Sequence, residues 1–331
     1  MKALVITTIQ APTPAMYKYR DMLLDQGWII IVIGDKKSPP NYDLPGVDYL
    51  NIEKQKELFG DLASLIPLNH YSRKNLGYLY AMSKGAEAIA ESDDDNIPYD
   101  DKYPNFLPVQ VKVPTVEAKG SVNVYSYFTD KKIWPRGLSL DKIKTLVGRT
   151  DPVEREVTCY VQQGLADLDP DVDAIYRLTV SDGDVVFDPG LKLALSEHCY
   201  SPFNTQNTLF YKPAFPLMLL PIGVSSRVTD ILRSYIAQRL LWFLGSSLLF
   251  LSPSVYQLRN QHNLLMDFNE EIPLYTKTDE LVNLLESFES DGNDACSLMQ
   301  KLYTYLNQKG FLSEIELRLC ELWVKEVKNY L

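Results

Sequence analysis

Cysteine is scarce and scattered: Cys159, Cys199, Cys296 and Cys320, with no CxxC pair. That spacing excludes a disulfide scaffold and a structural zinc site. Three histidines, His70, His198 and His262, are too few and too far apart for a His-rich metal centre. Basic residues do not cluster: 33 Lys and Arg stand against 43 Asp and Glu, a net charge of −10, which argues against nucleic acid as a partner. No apolar run reaches the ~20 residues of a spanning helix. The longest, Leu240–Leu251, is interrupted by Gly245, Ser246 and Ser247. Lys2 runs straight into an apolar strand pattern with no leader-like segment, so the expected location is cytoplasmic. Also missing are GxxxxGK[ST], GxGxxG after the first strand, and GxSxG. P-loop, dinucleotide and nucleophile-elbow chemistry are thereby set aside.

What remains is an ordinary globular composition, 46% apolar and 23% charged over 331 residues. A chain of ~38 kDa is expected to fold to about 14,000 Å² of surface, enough burial for one large core or two coupled ones. The first hundred residues alternate strand and helix. Ala3–Thr8, Trp28–Ile33, Val47–Leu50 and Ala86–Glu91 read as strands. Pro14–Gln26, Glu53–Leu65 and a helix capped by Ser72 and running through Lys84 lie between them, with Gly27 and Gly85 as stops. This order predicts a doubly wound α/β domain with ligands at the carboxyl ends of the strands. Val122–Tyr127 reads as a short strand, Ser226–Leu244 as a helix, and Thr278–Phe288, Asp294–Gln308 and Leu312–Tyr330 as a helical tail. Leu312, Ile315, Leu319, Trp323 and Val327 form an apolar stripe, with Leu322 beside them; it serves either to pack on the domain or to dimerise.

Four groups of residues carry chemical potential. Asp93, Asp94 and Asp95 follow a strand, and the outer two can reach the same side of an extended backbone. Asp93 and Asp95 can hold a hard divalent cation with positions left for diphosphate oxygens, or the run is a solvated acidic loop. Arg73, Lys74 and Asn75 sit at a helix start, where an anion would offset the unfavourable cations, or they are first-turn surface groups. Asp35 ends the second strand, where it either meets a nucleotide or caps a turn; Thr7, Thr8 and Gln10 end the first. Asp230 shares a helix face with Arg227 and Ser234 and is either a general base or an i,i+3 partner of Arg233. Arg239 lies opposite and is expected in a structural ion pair, and His198-Cys199 is expected to be structural.

Seven runs carry a resemblance: ITTIQAPTPA (6–15), VIGDKKSPPNY (32–42), YSRKNLGYLYAMSKGAEAIAESDDDN (71–96), WPRG (134–137), QQGLADLDPDVDAIYRLT (162–179), PFNTQNTLFYKPAF (202–215) and VTDILRSYIAQRLLW (228–242). In order over residues 1–275, they resemble the STELLO family of glycosyltransferases; the final helical tail lies outside the matched runs. Gln238-Arg239-Leu240-Leu241-Trp242 is also similar to the QxxRW signature of family-2 glycosyltransferases, although Leu241 stands where that signature has arginine.

The resemblance implies a GT-A-like, doubly wound, mostly parallel sheet with a C-terminal helical extension. It divides into a nucleotide-sugar half (1–130), an acceptor and catalytic half (131–275) and the helices (276–331). It implies transfer of a sugar from a nucleotide donor, expected to be a UDP-sugar, to a hydroxyl of a glycan or lipid-linked glycan. Thr8, Asp35, Arg73, Lys74, Asp93 and Asp94 would contact the donor, and Asp93 and Asp95 would bind Mn²⁺ or Mg²⁺. Trp134, Arg136, Arg177, Asn204, Gln206 and Asn207 would bind the acceptor, and Asp230 would take its proton with inversion. A homodimer, a partner glycosyltransferase held by the helices, and peripheral membrane association are further expectations. The competing functions are a sugar-nucleotide mutase or self-glycosylating protein, and a non-catalytic scaffold.

Overall fold

In the first strands, alternate residues are apolar towards both faces, and this decides where the helices go. The structure is a computed structural model that describes residues 1–143, 150–258 and 263–331. β1 (Lys2–Thr8), β2 (Ile29–Gly34), β3 (Val47–Leu50) and β4 (Ala88–Asp93) pair in parallel in the order β3-β2-β1-β4. Leu4, Ile6, Ile30 and Val32 pack with Ala15, Met16, Tyr19 and Leu23 of α1 (Pro14–Leu23). Ala3, Val5, Ile31 and Ile33 face the opposite way into the main core, with α2 (Ile52–Leu65) and α3 (Lys74–Ser83). Helices on both faces cover both apolar sides, as parallel sheets require. Gly77 permits the close seating of α3: a Cβ there would lie 2.5 Å from Val5 Cγ1 and 2.8 Å from Ile33 Cγ1.

The sheet continues through β5 (Asn96–Pro98), β6 (Gln110–Val116), β8 (Val153–Thr158), β9 (Val161–Asp167), β10 (Lys192–Leu195), β12 (Asn207–Tyr211) and β13 (Leu248–Gln257). Eleven strands run in the order β3-β2-β1-β4-β12-β9-β13-β10-β6-β8, with β5 paired to β13; β7 (Gly120–Ser121) and β11 (Cys199–Tyr200) form a separate pair. This is the expected α/β, GT-A-like architecture; beyond β4 the pairing is mixed, parallel for β9–β13 and β6–β10 and antiparallel for the others. Two antiparallel pairings matter for the site. β12 beside β4 sets Asn207 opposite Ser92, and β5 beside β13 sets Asn96 opposite Gln257.

Local expectations shift in places. Gly120–Ser121 forms a two-residue strand, whereas Val124–Tyr127 is a 3₁₀ turn rather than a strand. Val124 and Tyr125 are buried apolar groups, which make a short run read as strand whatever its backbone does. The turn before α3 is capped by His70, not Ser72: His70 Nδ1 accepts from Ser72 N at 3.2 Å.

The tail is part of the main body. After α4 (Ala174–Thr179) and α5 (Ser226–Phe243), α6 (Leu264–Glu286) runs through residue 275, so the expected boundary there falls inside a helix. α7 (Ala295–Gln308) and α8 (Glu314–Val327) share one core cluster with Ile33, Leu79 and Phe59. Leu312, Leu319, Trp323 and Val327 are buried, and Ile315 alone of the stripe faces solvent. Trp323 Nε1 donates to the Pro216 carbonyl at 2.9 Å, and Glu316 accepts from Ile222 N and Gly223 N at 2.9 and 2.5 Å. The accessible surface, 13609 Å², agrees with the expectation from mass. Among the described residues no helix is long and apolar enough to cross a membrane.

Candidate active site

The parallel strands β1, β2 and β4 end at the same level, because Thr8 pairs with Gly34 and Thr7 with Asp93. Above that edge opens a cleft of about 550 Å³. Its lining includes Thr8, Asp35, Arg73, Asp93, Asp94 and Asp95 on one side. Arg136, Asp171, Arg177, Gln206, Asp230 and Gln257 line the other. Residues more than 200 apart in sequence thus meet where open α/β sheets bind ligands.

The aspartate loop is held from all sides. Thr8 Oγ1 donates to Asp94 Oδ2, and Thr13, the cap of α1, donates to the Asp94 carbonyl at 2.5 Å. Asp93 Oδ1 accepts from the Tyr71 hydroxyl and from Lys74 Nζ at 3.2 Å. Asp95 Oδ2 accepts from Gln257 Nε2 at 2.9 Å. Burial first, and then the Asp93 charge, pushes the Asp95 carboxyl up to about 7. Burial also raises Asp94, with the Thr8 hydrogen bond opposing it. Three adjacent carboxyls in a half-closed cleft resist ionising together.

The cations expected beside them are committed to the protein. Lys74 is fully buried and donates to Tyr71 Oη, the Ser92 carbonyl and Asp93 at 2.6, 2.7 and 3.2 Å. Arg73, although it lines the cleft, spends its donors on Gln55 and on the Ala63 and Ile66 carbonyls at 2.8 and 3.0 Å. It braces the loop after α2, a use invisible without knowing what α2 packs against. Asp35 both lines the cleft and caps: its carboxylate accepts from Lys36 N at 2.6 Å and His70 N at 3.2 Å.

On the opposite wall Arg136 is buried between two carboxylates. It donates to both Asp171 oxygens at 2.7 and 2.9 Å and to Asp230 Oδ2 at 3.0 Å. Burial would lower the arginine, but Asp171 and Asp230 outweigh it and raise it well above its usual range. Asp230 Oδ1 is crowded by both guanidinium nitrogens at 3.2 Å and by Ile231 N. Oδ2 has one partner among the described residues and so keeps acceptor capacity. Asp230 is therefore not paired with Arg233, which lies buried under the cleft on Glu91 at 2.7 Å. Arg239 makes no ion pair among the described residues; it donates to the Leu285 and Phe288 carbonyls at 2.8 and 2.6 Å. Those carbonyls close α6, where a cation is favoured.

The remaining expected acceptor residues divide. Arg177 lines the cleft and pairs with Asp169, and its buried Nε–H has no partner among the described residues. Gln206 lines it too. Trp134 is core: its Nε1 donates to Asp173 at 2.6 Å and its ring meets Tyr176 edge-on. Asn204 stands behind the wall and donates to Asp171 Oδ2 at 3.0 Å. Asn207 faces the sheet interior and donates to Ser254 at 3.0 Å. Gln238 and Trp242 are structural, one bonded to Ser201 N and the other meeting Tyr200 edge-on. His198 binds Glu286 at 2.6 Å and Cys199 is buried, as expected of a structural pair.

Sequence reasoning assigned no role to Tyr71, Thr205, Asp171 or Gln257, all of which line the cleft. Tyr71 and Asp171 lie inside the quoted runs 71–96 and 162–179, so a signal was present. Gln257 lies outside them, and only the β5–β13 pairing brings it to Asp95.

The fold and this cleft define a GT-A-like α/β protein with an acidic site at the carboxyl edge of its sheet. A family profile described as STELLO glycosyltransferases matches residues 227–330. Two curated proteins of Arabidopsis thaliana, the probable glycosyltransferases STELLO2 and STELLO1, are each 27% identical over 346 residues, covering 98% of this chain and 44% of theirs. The chain is thus similar to STELLO glycosyltransferases over nearly its whole length, and it spans less than half the length of these relatives. The likeness reaches further than the quoted runs, because the profile match includes the helical tail.

Proposed function

We propose that the protein is a glycosyltransferase that moves a sugar from a nucleotide donor, a UDP-sugar in the first instance, to a hydroxyl of a glycan acceptor. One observation carries the reading: Thr8, Asp35, Asp93, Asp94, Asp95, Gln206 and Asp230 line a single cleft at the carboxyl edge of the sheet. The printed names of the relatives point the same way.

The donor set fits a divalent cation of the Mg²⁺ or Mn²⁺ kind. Among the described residues no three His, Cys, Asp or Glu side chains are disposed to cage a metal. Mg²⁺ is ordinarily held by one or two carboxylates plus substrate phosphates, so a cage is not required. Asp93 and Asp95 are those two carboxylates: Asp93 Oδ2 has no hydrogen bond among the described residues, and Asp95 has one side-chain partner, on Oδ2. The cation would supply charge neutralisation at the departing nucleoside diphosphate.

The chain's own residues do the rest. Thr8 and Asp35 bound the nucleotide side of the cleft. Lys74 offsets part of the negative charge by holding Asp93, and Tyr71 fixes the same oxygen. Gln206 and Arg177, which line the cleft, offer hydrogen bonds to acceptor hydroxyls. Asp230, held by Arg136, accepts the hydroxyl proton on Oδ2 as the sugar is attacked from the opposite side, which gives inversion.

A thermal-shift panel of UDP-, GDP-, CMP- and dTDP-sugars, with and without Mn²⁺, tests the reading. One nucleotide should raise the melting temperature in a Mn²⁺-dependent way, since binding to the native state stabilises it by mass action. No shift with any of them would overturn the proposal. Asp230→Asn should keep donor affinity and lose turnover by about a hundredfold or more; full activity would remove Asp230 as the base. Conversion of the sugar nucleotide without an acceptor would assign a mutase instead.

A further inference from the structure

We infer that Gln257, through Gln206, is a positioning residue that sets the Asp95 carboxylate and ties the aspartate loop to the acceptor wall. The inference rests on the reading of the cleft as a glycosyl-transfer site. Gln257 Nε2 donates to Asp95 Oδ2 at 2.9 Å, and Gln257 Oε1 accepts from Gln206 Nε2 at 2.6 Å. Gln206 Oε1 faces Asn204 Nδ2 at 3.5 Å, and Gln206 N donates to Asn204 Oδ1 at 3.0 Å. Asn204 Nδ2 also donates to Asp171 Oδ2 at 3.0 Å, and Asp171 is clamped by Arg136, which holds Asp230. A continuous polar chain therefore links Asp95 to Asp230, passing behind the cleft wall at Asn204.

With Asp95 ionised, as a metal ligand must be, the direction of every amide in that chain follows. A carboxylate only accepts, so Gln257 turns its NH₂ to Asp95 and its oxygen to Gln206. Gln206 then has its NH₂ on Gln257 and its oxygen towards Asn204. From the far end, Asp171 also demands a donor, so Asn204 turns its NH₂ that way. Asn204 is the one junction whose two N–H groups serve both directions. Gln206 and Asn204 are both buried, and neither can reorient without breaking a bond water cannot readily replace.

The consequence for Asp95 is a fixed carboxylate, with Oδ2 held by the chain and the other oxygen left for a ligand. Partners of this kind fix the orientation of a metal-binding group, and removing them costs about ten- to a hundredfold in metal affinity. They also lower the ordering that binding itself must supply. Because the same chain ends on Asp171, a change at Gln206 should reach Asp95 only by way of Gln257.

The test uses the full chain and two substitutions of similar volume, Gln257→Met and Gln206→Met. Mn²⁺ affinity is measured by calorimetry in the presence of whichever of UDP, GDP, CMP and dTDP binds the wild type. Gln257→Met should weaken it at least about tenfold, and Gln206→Met about threefold, while the double variant is no weaker than Gln257→Met alone. Equal affinities in the wild type and Gln257→Met overturn the inference and leave the functional reading standing. Losses that multiply in the double variant overturn the coupling through Gln257. A wild type that binds no nucleotide overturns both readings. Should Gln257→Met fail to melt cooperatively, Gln206→Met decides, and an unchanged affinity there overturns the inference.

Discussion

Arg136→Met would remove the one cation between two buried carboxylates. Arg136, Asp171 and Asp230 have side chains only 5%, 8% and 6% exposed, so water cannot take the place of the guanidinium. Breaking a buried pair from one side costs about 3–5 kcal/mol, because the surviving charge is left without compensation. With an unfolding entropy of about 2.1 cal/mol/K per residue, a chain of 331 residues would lose roughly 4–7 °C in melting temperature. The pH dependence gives a second, independent sign. In the wild type, burial acts to raise Asp171 but Arg136 outweighs it and holds the carboxyl below its usual range. Unfolded, an aspartate titrates near ~3.9. The stabilisation is therefore complete above about pH 4 and is lost as pH falls through the lower folded value. In the variant only the Arg227 charge and the Asn204 hydrogen bond still oppose burial, and the Asp171 carboxyl moves up. Its penalty is then largest at neutral pH and fades as acid protonates it. Melting scans from pH 4 to 8 should show the gap between the two proteins narrowing towards acid. A gap below about 1 °C at pH 7, or one that widens in acid, would refute the reasoning.

Asp95→Asn should trade function for stability. The wild-type carboxyl is pushed up to about 7, so its ionisation costs stability as pH rises from about 4 to 7. Melting scans at pH 8 should place the variant about 2–5 °C above wild type, with no gain at pH 4 and no Mn²⁺-dependent shift with nucleotide. A variant no more stable at pH 8 would contradict this. Trp323→Ala should cost about 3–5 kcal/mol, since the indole is fully buried and bonded to Pro216. A chain cut after residue 275 should fail to melt cooperatively, because the cut falls within α6 and strips α7 and α8 from the core. A truncated chain with a sharp transition would show that the tail is separable after all.

Much of the nucleotide side was legible from the sequence. The runs Ala3–Thr8 and Trp28–Ile33 are apolar on both faces, and only a strand between two helical layers satisfies that. Their ends, Thr8 and Asp35, follow directly, and so does the aspartate triplet that begins at the last residue of β4. Gly27 and Gly85 mark helix stops through positive φ, 75° and 79°. The acceptor side was less legible. Trp134 and Asn207 have the side-chain chemistry of sugar-binding groups, yet both are buried in structural hydrogen bonds. Residue type does not reveal whether a polar group is satisfied inside the protein, because that depends on neighbours distant in the chain.

The chain itself determined its α/β class, the strands that carry the site and the level at which they end, because hydrophobic period and helix stops are local properties. Tertiary structure decided which charges are free and which are paired. Arg136 reaches Asp230 across 94 residues, Arg233 reaches Glu91 across 142, and Gln257 reaches Asp95 across 162. Electrostatics alone permits many such pairings among 33 basic and 43 acidic residues. The order of strands in the sheet, with β12 beside β4 and β5 beside β13, selects the few that form.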